Sequence, residues 1–177
     1  MRKKNDGFDF EIQVYNDICN SIKLGNFFIM SPNMKIFHRK GYYSRDRKKD
    51  IITDISIEIY VDNPAENNSI KPSVIIVLEC KDYTHSLSVD DVEEFHAKLQ
   101  QIGADNTKGI IITRCALYQE SAINYAKAKG IMIKAWKKDR EGIEDIYASY
   151  FKTIDYKLSN DIVIKKLELP PVPRRNN

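Results

Sequence analysis

The chain has 177 residues, of which 42% are hydrophobic and 30% charged, so it has enough apolar mass for a real core and the charge of a soluble protein. No run approaches the roughly 18 apolar residues that span a bilayer, and no apolar stretch follows the basic start Met1-Arg2-Lys3-Lys4, so neither a membrane partner nor a signal peptide is expected. Cys19, Cys80 and Cys115 are too few and too scattered for a disulfide framework or a zinc site, which points to the reducing cytoplasm.

In chain order, Asp9 is placed to cap a first helix running to about Leu24, with Gly25 just past its end. Val14, Ile18 and Ile22 form its apolar stripe, and Glu11 lies on the same side, either serving the helix dipole or aimed into a site. Phe27–Met30 and Lys35–Arg39 read as short strands around the turn signal Ser31-Pro32-Asn33. Arg39–Asp50 then carries six basic residues against two acids, a cluster suited either to DNA phosphates or to plain solvation. Arg45, Arg47, Lys48 and Lys49 are its DNA-binding candidates.

Ile51–Val61 alternates cleanly and predicts one strand, with Ile51, Thr53, Ile55, Ile57, Ile59 and Val61 on the greasy face and Asp54 on the mixed face. The polar loop 62–72 lets the chain return antiparallel as Val74–Lys81, an unbroken apolar run ending in Glu79-Cys80-Lys81. Side chains alternate along a strand, so Glu79 and Lys81 share a face. Ser88 and Asp91 form a near capping box for a helix to Ile102. Gly109–Thr113, Gln119–Lys129 and Ile131–Trp136 read as strand, helix and strand, implying a parallel portion of the sheet. Ile143–Phe151 is expected to be helical, Asp161–Leu169 a strand, and 170–177 a flexible tail. One domain is predicted, with its core at about 8–135 and a C-terminal extension at 143–169.

Two carboxylates at the ends of adjacent strands, Asp54 and Glu79, can share a hard divalent cation, with the Cys80 carbonyl as a further oxygen ligand. Lys81 beside them can orient or deprotonate a water and offset charge in a phosphodiester transition state. His38, His85 and His96 are scattered, and the seven glycines form no phosphate-cradling loop.

The order of the Glu11 helix, the Asp54 hairpin and Glu79-Cys80-Lys81 resembles the PD-(D/E)xK nucleases. Residues 79–83, the helix Val89–Ile102, Gly103-Ala104 and Lys108–Thr113 are similar to the catalytic domain of Mrr-type restriction endonucleases. The resemblance covers roughly residues 8–135. It implies an α/β, restriction-endonuclease-like fold of three α/β/α layers with a mixed central sheet. It also implies Asp54 and Glu79 as Mg2+ ligands (Mn2+ substituting), Lys81 as the catalytic lysine and Glu11 as an accessory acid. The expected activity is magnesium-dependent cleavage of DNA in restriction or defence. The alternative is a catalytically silent nuclease fold that binds DNA or a protein in a larger assembly. Thr53 stands where the motif has proline, and Glu79 where many Mrr-like domains have glutamine. No separate recognition domain is read in these residues, so a recognition subunit and a homodimer through 143–169 are the protein partners expected.

Overall fold

The computed structural model describes residues 7–25, 27, 31–63, 70–114, 117–137 and 142–145, the last four and Lys137 by backbone only. All belong to the compact unit Met1–Ile146. The expectations for 28–30, for 146–151, for the strand 161–169, for the tail and for a dimer contact in the C-terminal extension fall outside these residues, apart from 143–145.

The elements are α1 (Phe8–Lys23), β1 (Met34–His38), β2 (Gly41–Ser44), β3 (Lys49–Ile52), β4 (Ile55–Ile59), β5 (Val74–Lys81), α2 (Val89–Gly103), β6 (Thr107–Thr113), α3 (Glu120–Ala128), β7 (Met132–Lys137) and β8 (Gly142–Asp145). A six-stranded sheet runs in the order β1-β4-β5-β6-β7-β8. It is mixed: β5, β6 and β7 are parallel, and the β1–β4, β4–β5 and β7–β8 pairs are antiparallel. α1 covers one face, where Phe10, Val14 and Ile18 join Ile55, Ile57, Ile76, Leu78, Ile110 and Ile112 in one apolar cluster. α2 lies on the other face, so close to β6 that a Cβ on Gly109 would meet Leu99 at 2.4 Å and Phe95 at 2.8 Å. α2 and α3 bury Val92, Phe95 and Leu99, and Ala122, Ile123 and Ala126. This is the three-layer α/β/α, restriction-endonuclease-like arrangement.

Three sequence expectations are corrected. Asp9 does not cap α1; left-handed Gly7 (φ 81°) starts the helix without a side-chain cap, and Asp9 sits in the first turn where the dipole favours it. Residues 143–145 are not helical. They extend the sheet as β8, because the open edge of β7 offers a partner a few residues upstream and local pairing satisfies the backbone of both.

The third correction shapes the site. Ile51–Val61 is not one strand but β3 and β4, separated by Thr53-Asp54. The pairing register nevertheless runs through the break. His38 stands opposite Ile55 and Gly41 opposite Ile52, and between them Arg39 N–H donates to the Asp54 carbonyl (2.9 Å) and Thr53 N–H to the Lys40 carbonyl (3.0 Å). β1–β2 and β3–β4 are thus one long ribbon, bent where Arg39 takes a left-handed φ of 54°. Beyond the bend, the Tyr42 hydroxyl reaches Ser56 Oγ (3.0 Å) and Glu58 Oε1 (2.9 Å), while Lys40 Nζ pairs with Glu58 at 2.6 Å. The distal hairpin therefore covers the mixed face of β4, which explains why Ser56 and Glu58 are buried; Val61, expected on the greasy face, lies past the end of β4 and is exposed.

Candidate active site

Asp54 sits at the corner of the bent ribbon. Continuing the β4–β5 register by one residue past Ile55↔Leu78 sets it opposite Glu79. Its Oδ2 accepts a 2.7 Å hydrogen bond from the Cys80 backbone N–H. In an extended strand the N–H and C=O of one residue point to the same side, and the next residue's point to the other. The Lys81 carbonyl accepts from Arg114 N–H on the β6 side (3.2 Å), so the Cys80 carbonyl faces the Asp54 side.

Glu79, buried at the end of β5, is held by two ammonium groups on one oxygen, Lys98 Nζ at 2.9 Å and Lys81 Nζ at 3.3 Å. Lys81 also lies 3.7 Å from Asp91 Oδ1 and over the Tyr83 ring. Asp91 closes the capping box with Ser88 and accepts from the Tyr83 hydroxyl (2.7 Å), so the start of α2 is bolted to the lysine. Glu11, from the first turn of α1, is buried; Arg39 pairs with its Oε2 at 3.1 Å, and His38 Nε2 lies 3.5 Å from that oxygen without a hydrogen bond.

The electrostatics follow from this crowding. Burial, then the Glu79 charge, pushes the Asp54 carboxyl up to about 7, against the Cys80 hydrogen bond and with Glu11 adding to the rise. Burial opposes the charge on Lys81 and Lys98, yet Glu79 foremost and their other neighbours hold both above the ordinary lysine value. Burial and the three carboxylates Asp54, Glu11 and Glu79 push the Cys80 thiol up, so it is inert as a nucleophile.

Among the described residues no three His, Cys, Asp or Glu side chains stand as a metal cluster. The donor set at hand is two carboxylates and a main-chain carbonyl. That set fits a hard cation such as Mg2+ or Mn2+, which completes its shell with water and substrate phosphate. The burial and the Glu79 repulsion that raise the Asp54 pKa are what a cation there would offset.

The family of the Mrr catalytic domain, described as restriction endonuclease, matches residues 34–158. The chain belongs to this family. The match spans Asp54, Glu79, Lys81 and Lys98 and begins after Glu11. Two solved structures are similar to this nuclease domain. One is a protein of unknown function (14% identity, TM-score 0.48, 86% of this chain and 72% of that one). The other is a repair endonuclease from Pyrococcus abyssi (17% identity, TM-score 0.44, 72% of this chain and 46% of that one). No curated protein matches the chain.

In the nuclease domain the basic cluster divides. Arg39 and Lys40 are committed to Glu11 and Glu58. Arg45, Arg47 and Lys48 form the tip of the hairpin and Lys49 opens β3, all four exposed. Arg47 Nε nevertheless donates to Gln101 Oε1 (2.9 Å), which also receives the buried Ser44 hydroxyl (3.0 Å). Gln101 is thus a latch between hairpin and α2, one helical turn past Lys98, rather than a free surface amide.

Sequence reasoning missed Lys98. The signal was present: Asp91 and Lys98 are seven residues apart on α2, hence on one face, and Asp91 belongs to the motif that starts the helix beside Lys81.

Proposed function

We propose that this nuclease domain is a DNA endonuclease that uses magnesium, or manganese in its place, in restriction or defence. The observation that carries the reading is Asp54, fixed by the Cys80 N–H opposite Glu79, with Lys81 on Glu79. Asp54, Glu79 and the Cys80 carbonyl would hold the cation. When bound, it supplies Lewis acidity toward the phosphate and lowers the pKa of an attacking water.

The chain's own groups do the rest. Lys81, held as a cation by Glu79, Tyr83 and Asp91, donates hydrogen bonds toward the water and the charge that develops on phosphorus-bound oxygen. With its pKa raised it serves as a positive donor rather than as a base. Glu11 adds negative charge behind Asp54 and, through Arg39, ties α1 to the ribbon bend. Arg45, Arg47, Lys48 and Lys49, on a hairpin latched to the helix that carries Lys98, track the DNA backbone.

One such site hydrolyses one strand, so a double-strand break calls for a second copy, most simply in a two-fold homodimer. The second reading, a catalytically silent module, is favoured by the double hold of Lys81 and Lys98 on Glu79. Supercoiled plasmid incubated with the protein decides between them. The enzyme converts it with Mg2+ and not with EDTA, giving nicked circles from single sites and linear DNA from paired sites. Retained DNA binding without any cutting in Mg2+ or Mn2+ establishes the silent module instead.

A further inference from the structure

We propose that Lys98 is a displaceable cation that competes with the divalent metal for Glu79. This rests on the reading of Glu79 as a metal ligand.

A single carboxylate oxygen, Glu79 Oε1, takes both Lys98 at 2.9 Å and Lys81 at 3.3 Å. The two lysines are not equivalent. Lys81 is on the same strand as Glu79, two residues on, and is pinned from the other side by Asp91. Lys98 reaches in from the facing helix and has an alternative partner one turn back, Glu94, whose oxygen is 3.3 Å away and whose side chain is 65% exposed.

A doubly charged ion on Glu79 would repel both ammonium groups in a half-buried setting where screening is weak. Asp91 is enclosed and already held by Ser88 and Tyr83, whereas Glu94 is open, so Lys98 is the one with room to move. Its shift toward Glu94 frees the oxygen and keeps the ammonium paired. Without a cation the same lysine pairs with a carboxylate whose burial unpartnered would be costly. Lys98 therefore sets metal affinity low by occupying the oxygen the cation needs. Glu94 acts as the docking place for the displaced lysine.

The test is Mn2+ binding to the full chain by titration calorimetry, without DNA. Lys98→Met is expected to bind Mn2+ about tenfold more tightly than the native chain, because a competing like charge is gone. Glu94→Gln is expected to bind a few-fold more weakly, since the displaced ammonium loses its partner. In the Lys98→Met background the Glu94→Gln change should largely vanish. Unchanged or weaker binding in Lys98→Met overturns the proposal, as does an equal Glu94→Gln effect in both backgrounds. If Lys98→Met does not fold, Glu94→Gln alone decides, because unchanged affinity there also overturns it. Glu79→Gln separates this from the underlying reading. If its Mn2+ binding equals that of the native chain, Glu79 is not a ligand and both ideas fall. If it is lost while Lys98→Met changes nothing, only the role of Lys98 falls.

Discussion

Asp54 Oδ2 accepts a 2.7 Å hydrogen bond from the backbone N–H of Cys80. The bond joins the corner of the bent ribbon to the end of the central strand, and it holds a carboxyl whose pKa is raised to about 7 by burial and by Glu79. A carboxyl with a higher pKa folded than unfolded takes up a proton on folding. Its ionisation therefore costs stability progressively as pH rises from about 4 to about 7. Asp54→Asn removes that cost. In EDTA the variant is expected to melt higher than the native chain at pH 8, by up to a few kcal/mol of stability, and the gain should shrink toward pH 5. Melting curves at the two pH values check this; an equal shift at both would show that Asp54 does not titrate in this range.

Lys81→Ala should abolish cutting and spare binding. Its ammonium serves charge that appears mainly in the transition state, and loss of such a donor costs on the order of a hundred- to a thousandfold in rate. Single-turnover cleavage and DNA affinity, measured on the same preparation, separate the two. Parallel loss of both would make Lys81 a binding residue.

The exposed hairpin should behave in the opposite way. Lys48 has a left-handed φ of 50°, so asparagine is the neutral replacement that its backbone tolerates. Lys48→Asn with Lys49→Gln is expected to weaken DNA binding and to lower the slope of log affinity against log salt by about one per lost phosphate contact. An unchanged slope would show that the hairpin is only solvated.

Glu58 holds the ribbon rather than the chemistry. Burial alone would raise its pKa, but hydrogen bonds from Lys40, Tyr60 and Tyr42 outweigh it and hold the carboxyl below its ordinary value. A depressed folded pKa contributes stability above the unfolded pKa that is lost as pH falls through the folded one. Glu58→Gln strands the Lys40 charge. It should cost on the order of 2–4 kcal/mol at pH 7, less at acid pH, with kcat unchanged at low temperature. Denaturant unfolding at both pH values checks it.

How far the sequence could be read depended on whether the cause was local. Val74–Lys81 emerged residue for residue because a strand buried on both faces is apolar throughout and its end is marked by charge. The Ser88–Asp91 cap was equally legible, since both partners lie within one turn. The bend at Thr53-Asp54 was not. Alternation continued through it because the pairing register does; the bend falls at left-handed Arg39 across the ribbon, and the contacts that hold the bent hairpin down, Tyr42 on Ser56 and the Gln101 latch, are distant in sequence. β8 was misread as helix because strand pairing with β7 overrode local propensity. That Asp54, Glu79 and Lys81 lie together was legible from strand ends and the family motif. Lys98 escaped because a lysine flanking a helix stripe reads as solvated until the facing strand is known.

The most direct measurement is the anomalous scattering of Mn2+ soaked into crystals of the native chain. One strong peak is expected within ligation distance of the Asp54 and Glu79 carboxylates and the Cys80 carbonyl, and no such peak in Glu79→Gln. A Mn2+ peak elsewhere, in a chain that still cuts DNA with Mn2+, would contradict it.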